Sequence, residues 1–232
     1  MKAYVITIEG NEISETASQH CIESSWRVKN EFPIERFDAI VPGEVKALMR
    51  HQYKIEWNYP WEGEVLDFAT GLVKKAYPTR NKDARIACAL SHLALWEQCF
   101  DEREPILVLE HDAIFTKKLS YESLLKFRYG IIGINEPFGA TRMATVFHRM
   151  VQESKTDVAN VPRIDNIKVP QGLAGNSAYV IKPWAAEEML ELVNDFGLWP
   201  NDALMCYQLF PLLGVSKTYY TKVQRTASTT TL

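Results

Sequence analysis

Hydrophobic positions in this chain fall into short unbroken runs separated by stretches of helical period. The first run, residues 3–8, is rich in β-branched and aromatic residues and stops at the turn signal Glu9-Gly10-Asn11. Ala17, Cys21 and Val28 then recur at helical spacing, with Ser14 placed to cap that helix and Pro33 to end it. Residues 34–40 alternate loosely as a second strand, so the chain opens β-α-β and predicts a parallel sheet. Pro42-Gly43 breaks the pattern, and residues 44–50 read as a short helix.

The clearest helix is predicted over 83–100, where Ile86, Leu90, Leu93, Ala94, Trp96 and Phe100 make a wide apolar face behind a cap at Asn81 or Asp83. Next, Ile106 to Leu109 run apolar without a break between Pro105 and Glu110. Such a run predicts a strand buried on both faces of a parallel sheet. Further strands are predicted over 129–134, 168–170, 177–181 and 216–223, and helices over 120–127, 143–151, 183–194 and 203–210. Asp202 is a natural N-cap for the last of these. Residues 51–80, with Tyr53, Trp57, Tyr59, Trp61, Phe68 and Tyr77, read as a long loop with a helical piece over 65–76. Its aromatics either stack on a sugar face or anchor the loop to the core.

Composition narrows this picture. The chain has 232 residues, 47% hydrophobic and 24% charged, enough for one α/β domain with a sizeable core. A net charge of -3, with no basic run, excludes a general nucleic-acid binder. Cys21, Cys88, Cys99 and Cys206 lack metal-type spacing and read as reduced core thiols. No leader-like start and no apolar stretch near the roughly 20 residues of a membrane span is visible, so a cytoplasmic location is expected.

The candidate chemistry lies at the end of the central run. On an extended chain, Glu110 and Asp112 point the same way, beyond the strand's carboxyl end, where α/β sheets bind ligands. Convergent carboxylates suit a hard divalent cation that keeps positions open for phosphate oxygens. The plain alternative is a strand leaving the core through solvated acids. His92, in an apolar helix, is by type more often a satisfied core residue than a catalyst. The small-residue loop from Gln171 to Asn176 permits close backbone approach to a ligand, or only makes a turn.

Taken together, four blocks resemble glycosyltransferase family 25, the lipooligosaccharide-type and collagen-type galactosyltransferases. Ala3 to Ile8 is similar to that family's first strand, and Phe37-Asp38-Ala39-Ile40 to its second. Ile86 to Trp96, with Cys88-Ala-Leu-Ser91-His92, is similar to its Gly-Cys-Ala-Leu-Ser-His helix, and Leu107 to Ala113 to its Leu-Glu-Asp-Asp-Ala strand end. Gly175 to Ile181 and Pro200-Asn201-Asp202 resemble later blocks. The resemblance implies a GT-A-like fold with a Rossmann-like sheet flanked by helices. It divides one domain into a nucleotide-sugar half (1–134), an acceptor half (135–225) and a flexible tail (226–232).

By the same resemblance, the chain is a metal-dependent, inverting transferase moving galactose or glucose from a UDP-sugar to a glycan or lipid-linked oligosaccharide, with possible peripheral membrane contact. Glu110, His111 and Asp112 fall on the motif that holds Mn²⁺ or another divalent cation. Thr7, Ile8, Asp38, Ala39, Ser91 and His92 fall on donor-binding blocks, and Gly175 and Asn176 on the acceptor side. Asp202 falls in the Pro-x-Asp segment and is the candidate base, with Asp165 and Asp195 as other carboxylates in contention. The chain departs from the family pattern at His111, where an Asp is usual, and at Ala84-Arg85, where Gly-Glu is usual. A relative that binds a nucleotide sugar or glycan without transferring it is the alternative.

Overall fold

The computed structural model describes residues 2–138, 141 and 143–224; the expected flexible tail at 226–232 lies outside the described residues. In chain order, β1 (Lys2–Thr7) leads through α1 (Glu12–Arg27) to β2 (Glu35–Asp38). Then come α2 (Val45–Ala47), a π-helical turn (Leu48–Tyr53), the strands β3 (Glu64–Leu66) and β4 (Val73–Lys75), the helix α3 (Lys82–Glu102) and β5 (Ile106–Glu110). The second half holds β6 (Ala113–Phe115), α4 (Tyr121–Leu125), β7 (Ile131–Gly133), α5 (Ala144–Gln152), β8 (Val158–Asn160) and β9 (Ala178–Ile181). It closes with α6 (Pro183–Phe196), α7 (Asn201–Leu204), β10 (Leu213–Ser216) and β11 (Thr221–Val223).

The apolar run is the middle of the architecture. Ile106 to Leu109 are wholly buried, and β5 lies third in a seven-stranded sheet ordered β2-β1-β5-β9-β7-β10-β8. The α/β class is as expected, but the sheet is mixed rather than parallel. β1 pairs parallel with β2 and β5, whereas β9 inserts antiparallel between β5 and β7. Burial on both faces makes β5 a continuous apolar run whatever the direction of its neighbour, so the pattern carried no sign of β9's reversal. Strands from both halves of the chain share this sheet, with α3 packed against α6 on one face.

Caps decide where the helices begin. Asn11, not Ser14, caps α1: its side-chain oxygen accepts the Ser14 amide at 3.0 Å, and the Ser14 hydroxyl inside the helix accepts the Ile8 amide at 2.9 Å. Asn81 caps α3 in the same way through the Ala84 amide.

The helical piece expected over 65–76 is instead the β3–β4 hairpin. Asp67 turns the chain: its carbonyl accepts the Gly71 amide, its amide reaches the Leu72 carbonyl, and Gly71 supplies a φ of +72°. The buried Lys74 ammonium locks this turn, lying 3.1 Å from Asp67, 2.7 Å from the Asn58 carbonyl and over the Trp199 ring. Residues 168–170 form a turn rather than a strand, Lys168 only lending its carbonyl to the Val73 amide. The helix expected over 203–210 shortens to α7 followed by turns, and the strand expected over 216–223 divides into β10 and β11.

Candidate functional site

A cleft of about 750 Å³ opens beyond the carboxyl ends of β1, β2 and β5. The first half of α3 forms one wall and the Gly175–Ser177 loop another. The long run ends here as expected, yet Glu110 and Asp112 do not converge along an extended strand. β5 stops at Glu110, and His111 and Asp112 make a turn into β6 that points Asp112 back into the cleft.

The two carboxylates differ in state. Burial pushes the Glu110 carboxyl up, but hydrogen bonds from His92 and Ser177 and the nearby imidazoles outweigh it and hold the group below its ordinary value. Burial, and then the charge of Glu110, push Asp112 up to about 7. Asp112 Oδ1 is buried with no hydrogen-bond partner. A buried carboxylate oxygen without a partner, beside an ionised neighbour, is the arrangement a divalent cation satisfies. Glu110 and Asp112 therefore fit a metal. The His111 ring lines the same cleft, its pKa lowered by burial against the pull of Glu110.

Of the expected donor-side residues, Ile8, Ala39, Ser91 and His92 line the cleft, whereas Thr7 and Asp38 do not. The Thr7 hydroxyl is taken up by Ser18 at 2.7 Å and by the Val5 carbonyl at 3.1 Å, and Asp38 is exposed on β2. Ser91 acts on the wall: it accepts the Ile40 amide at 2.9 Å and donates to the Ala87 carbonyl at 2.9 Å, pinning the chain after β2 to α3. His92 is fully buried between Tyr179 and Glu110. Asn176, expected on the acceptor side, lines this larger cleft and not the smaller cavity beside it, with both side-chain amide atoms buried and unpartnered.

A second cavity of about 320 Å³, lined by Tyr77, Met143, Phe147, Ile164, Asp165 and others, meets the cleft at Gly175 and Asp202. Gly175 sits at φ +82°, which a side chain would strain. Asp202 is no cap: Pro200 holds the N-cap position of α7 and no side chain caps that helix. Asp202 faces both cavities instead. Burial raises its pKa, the Arg85 guanidinium opposes that, and Tyr77 lies within hydrogen-bonding reach. Asp165 lines only the smaller cavity, and Asp195 is exposed on α6.

Two residues were not legible as site residues. Tyr77 was one aromatic among many in an irregular stretch. Arg85, whose Nε is buried without a partner, is the only Lys or Arg among the described residues lining the cleft. The loop before Gly175 is held against the Asp202 segment by the Gly172–Cys206 bridge and by the Tyr207 amide on the Gln171 carbonyl. A Cβ at Gly172 would lie 2.4 Å from the Met205 carbonyl oxygen and 3.0 Å from that of Asp202. Gly172→Ala is therefore expected to cost about 1–3 kcal/mol and lower Tm by several degrees. A thermal melt showing parent-like stability would mean the two segments part easily.

The geometry can be set beside known proteins. A family model described as "Glycosyltransferase family 25 (LPS biosynthesis protein)" matches residues 1–205. No curated protein matches the chain. Among solved structures, mouse xyloside xylosyltransferase 1 in its apo form is 11% identical, with a TM-score of 0.43, over 91% of this chain and 80% of that one. The apo structure of the bifunctional glycosyltransferase WbbM is 12% identical, with a TM-score of 0.44, over 90% of this chain and 37% of that one. The galactosyltransferase LgtC, in complex with donor and acceptor sugar analogs, is 11% identical, with a TM-score of 0.40, over 90% of this chain and 70% of that one.

Proposed function

This chain belongs to glycosyltransferase family 25, and we propose that it moves galactose or glucose from a UDP-sugar to a glycan or lipid-linked oligosaccharide, with inversion and with Mn²⁺ or another divalent cation. The observation that carries this reading is the unpartnered Asp112 oxygen beside Glu110 in the larger cleft. Glu110 and Asp112 would hold the cation, with His111 beside them as a ring that favours Mn²⁺ over Mg²⁺. When bound, the cation offsets the negative charge that grows on the leaving diphosphate. Asn176 offers two unpaired hydrogen-bonding atoms to the donor.

Asp202 stands where the two cavities meet, which suits a base that takes the proton of an acceptor hydroxyl. As that oxygen bonds to the anomeric carbon, the bond to the diphosphate breaks and the proton passes to the carboxylate. A single displacement of this kind inverts the centre. The smaller cavity, walled by Phe147, Met143 and Ile164, fits the apolar face of a sugar acceptor. In this reading, residues 1–134 supply most of the donor cleft, with Asn176 added from the second half, and residues 135–225 supply most of the acceptor cavity, with Tyr77 added from the first. No helix among the described residues is long and apolar enough to cross a membrane, so a lipid-linked acceptor would be met at a membrane surface.

Calorimetric titration of UDP, without and with Mn²⁺, tests the reading. Binding that requires Mn²⁺ is expected, and equal binding without it would remove the metal from the proposal. His111 and Arg85, both departures from the family pattern, motivate the competing reading of binding without transfer. Release of free hexose from the donor separates the two, because a binder alone leaves the donor intact.

A further inference from the structure

Cys88, His92 and Glu110 place one ligand-type atom each within 4.8 Å of one another, which by composition is a site for a thiophilic metal. The hydrogen bonds behind His92 argue otherwise. Trp96 Nε1 lies 2.9 Å from the Tyr179 hydroxyl oxygen, and an indole N–H can only donate. The Tyr179 oxygen is therefore an acceptor there, and its own proton needs another partner. His92 Nδ1 stands 2.8 Å away, with the two ring planes nearly parallel at 18°. Trp96, Tyr179 and His92 are 1%, 0% and 0% exposed, so no bulk water serves in its place. If Nδ1 carried the ring proton, the Tyr179 hydrogen would face it with no acceptor among the bonds the described residues make. His92 Nδ1 thus accepts, and the ring proton sits on Nε2, 3.2 Å from Glu110 Oε1.

We propose that Trp96, Tyr179 and His92 form a one-way hydrogen-bond relay that keeps the His92 proton on Nε2, making His92 a positioning residue for Glu110 and not a metal ligand. The inference rests on the reading of Glu110 as a cation holder. It removes the nitrogen from the three-atom cluster, since a protonated Nε2 has no lone pair to give. Cys88 is left without its nitrogen companion, and its sulfur turns toward the Asn201 side chain at 4.0 Å. The carboxylate of Glu110 remains available, oriented by the relay in the way that outer partners orient ligands at metal sites. The cation then meets oxygen from Glu110 and Asp112, so the relay selects a hard ion over a thiophilic one at the donor cleft.

Long-range ¹H–¹⁵N spectra of the ¹⁵N-histidine-labelled protein, with His92 assigned by its loss in His92→Gln, read the proton position directly. A protonated Nε2 and a bare Nδ1 are expected; a protonated Nδ1 overturns the relay. Free Mn²⁺, followed by its electron paramagnetic resonance signal, reads the consequence. Tyr179→Phe is expected to weaken Mn²⁺ binding about tenfold and to admit Co²⁺ with a thiolate-to-cobalt absorption band absent from the parent. Trp96→Phe removes the donor that sets the relay's direction but leaves the Tyr179–His92 bond in place, and is expected to weaken Mn²⁺ binding less than Tyr179→Phe does. Parent-like Mn²⁺ affinity in Tyr179→Phe, or equal loss in both variants, overturns the positioning role. Failure of the unaltered protein to bind Mn²⁺ would sink the metal reading of Glu110, while the spectra still decide the proton's place.

Discussion

Asp202→Asn is expected to lower kcat by about 10²–10⁴-fold, the usual contribution of a positioned general base, while the affinity for UDP with Mn²⁺ stays near that of the parent. The amide keeps the size of the side chain and loses only the ability to take a proton. Its carbonyl oxygen still accepts from Tyr77, and its position does not cap α7, so the backbone has no reason to change. Lost donor binding, or an unfolded protein, would return the residue to a structural role.

The pH profile carries the same assignment. Burial raises the pKa of Asp202 above 3.8, and the working form is the carboxylate, so kcat should fall on acidification through that raised value. Arg85 opposes the rise, and Arg85→Met should move the acid limb to higher pH. Because the folded-state pKa lies above the unfolded one, Asp202 favours folding most below pH 3.8, and that contribution is lost as pH rises through the raised value. Above it Asp202→Asn should melt at or above the parent's Tm.

Asp112→Asn is expected to abolish metal-dependent UDP binding, and with it transfer, without loss of fold. Burial, and then repulsion from the Glu110 carboxylate, raise Asp112 to about 7. The parent therefore carries a destabilising charge that a cation offsets and that an amide removes. From the raised pKa, the cost in the metal-free parent is absent below pH 3.8, grows above it, and is complete above about pH 7. At pH 8 the metal-free variant should melt no lower than the metal-free parent, whereas Mn²⁺ should raise the parent's Tm and leave the variant's unmoved. Calorimetry with UDP and a pair of melts checks both halves. Mn²⁺-dependent UDP binding in the variant would take Asp112 out of the site.

Much of the scaffold was readable because its signals are local. The apolar positions of α3 and the unbroken run of β5 are signals within a single segment, and both elements lie on those patterns, although Phe100, expected on the apolar face of α3, is exposed. The β3–β4 hairpin left no such trace: Glu64, Val65 and Leu66 are all exposed, so neither alternation nor a buried face marks them as a strand. Their pairing depends on the Asp67 turn and on Lys74, whose partners include the distant Trp199. β8 was missed in the same way, as three residues whose place comes from pairing with β10 some 55 positions later, Gly214 facing Asn160.

For the site, residue type and spacing along the chain determined that Glu110 and Asp112 would stand at the end of the central strand, and that His92 would lie on the inner face of α3. Sequence also supplied a capping role for Asp202 that the fold does not use. Only the tertiary structure decided that Asp202 sits between two cavities, that Asp112 turns back into the cleft that Glu110 lines, and that the His92 ring stands against the Glu110 carboxylate. The first and last of these depend on partners far along the chain: Tyr77 stands beside Asp202, and Tyr179, 87 positions from His92, holds its ring. Periodicity reports how a segment meets the core. Which polar groups then face one another is decided by packing, because a buried donor or acceptor takes whatever partner the fold brings within about 3 Å.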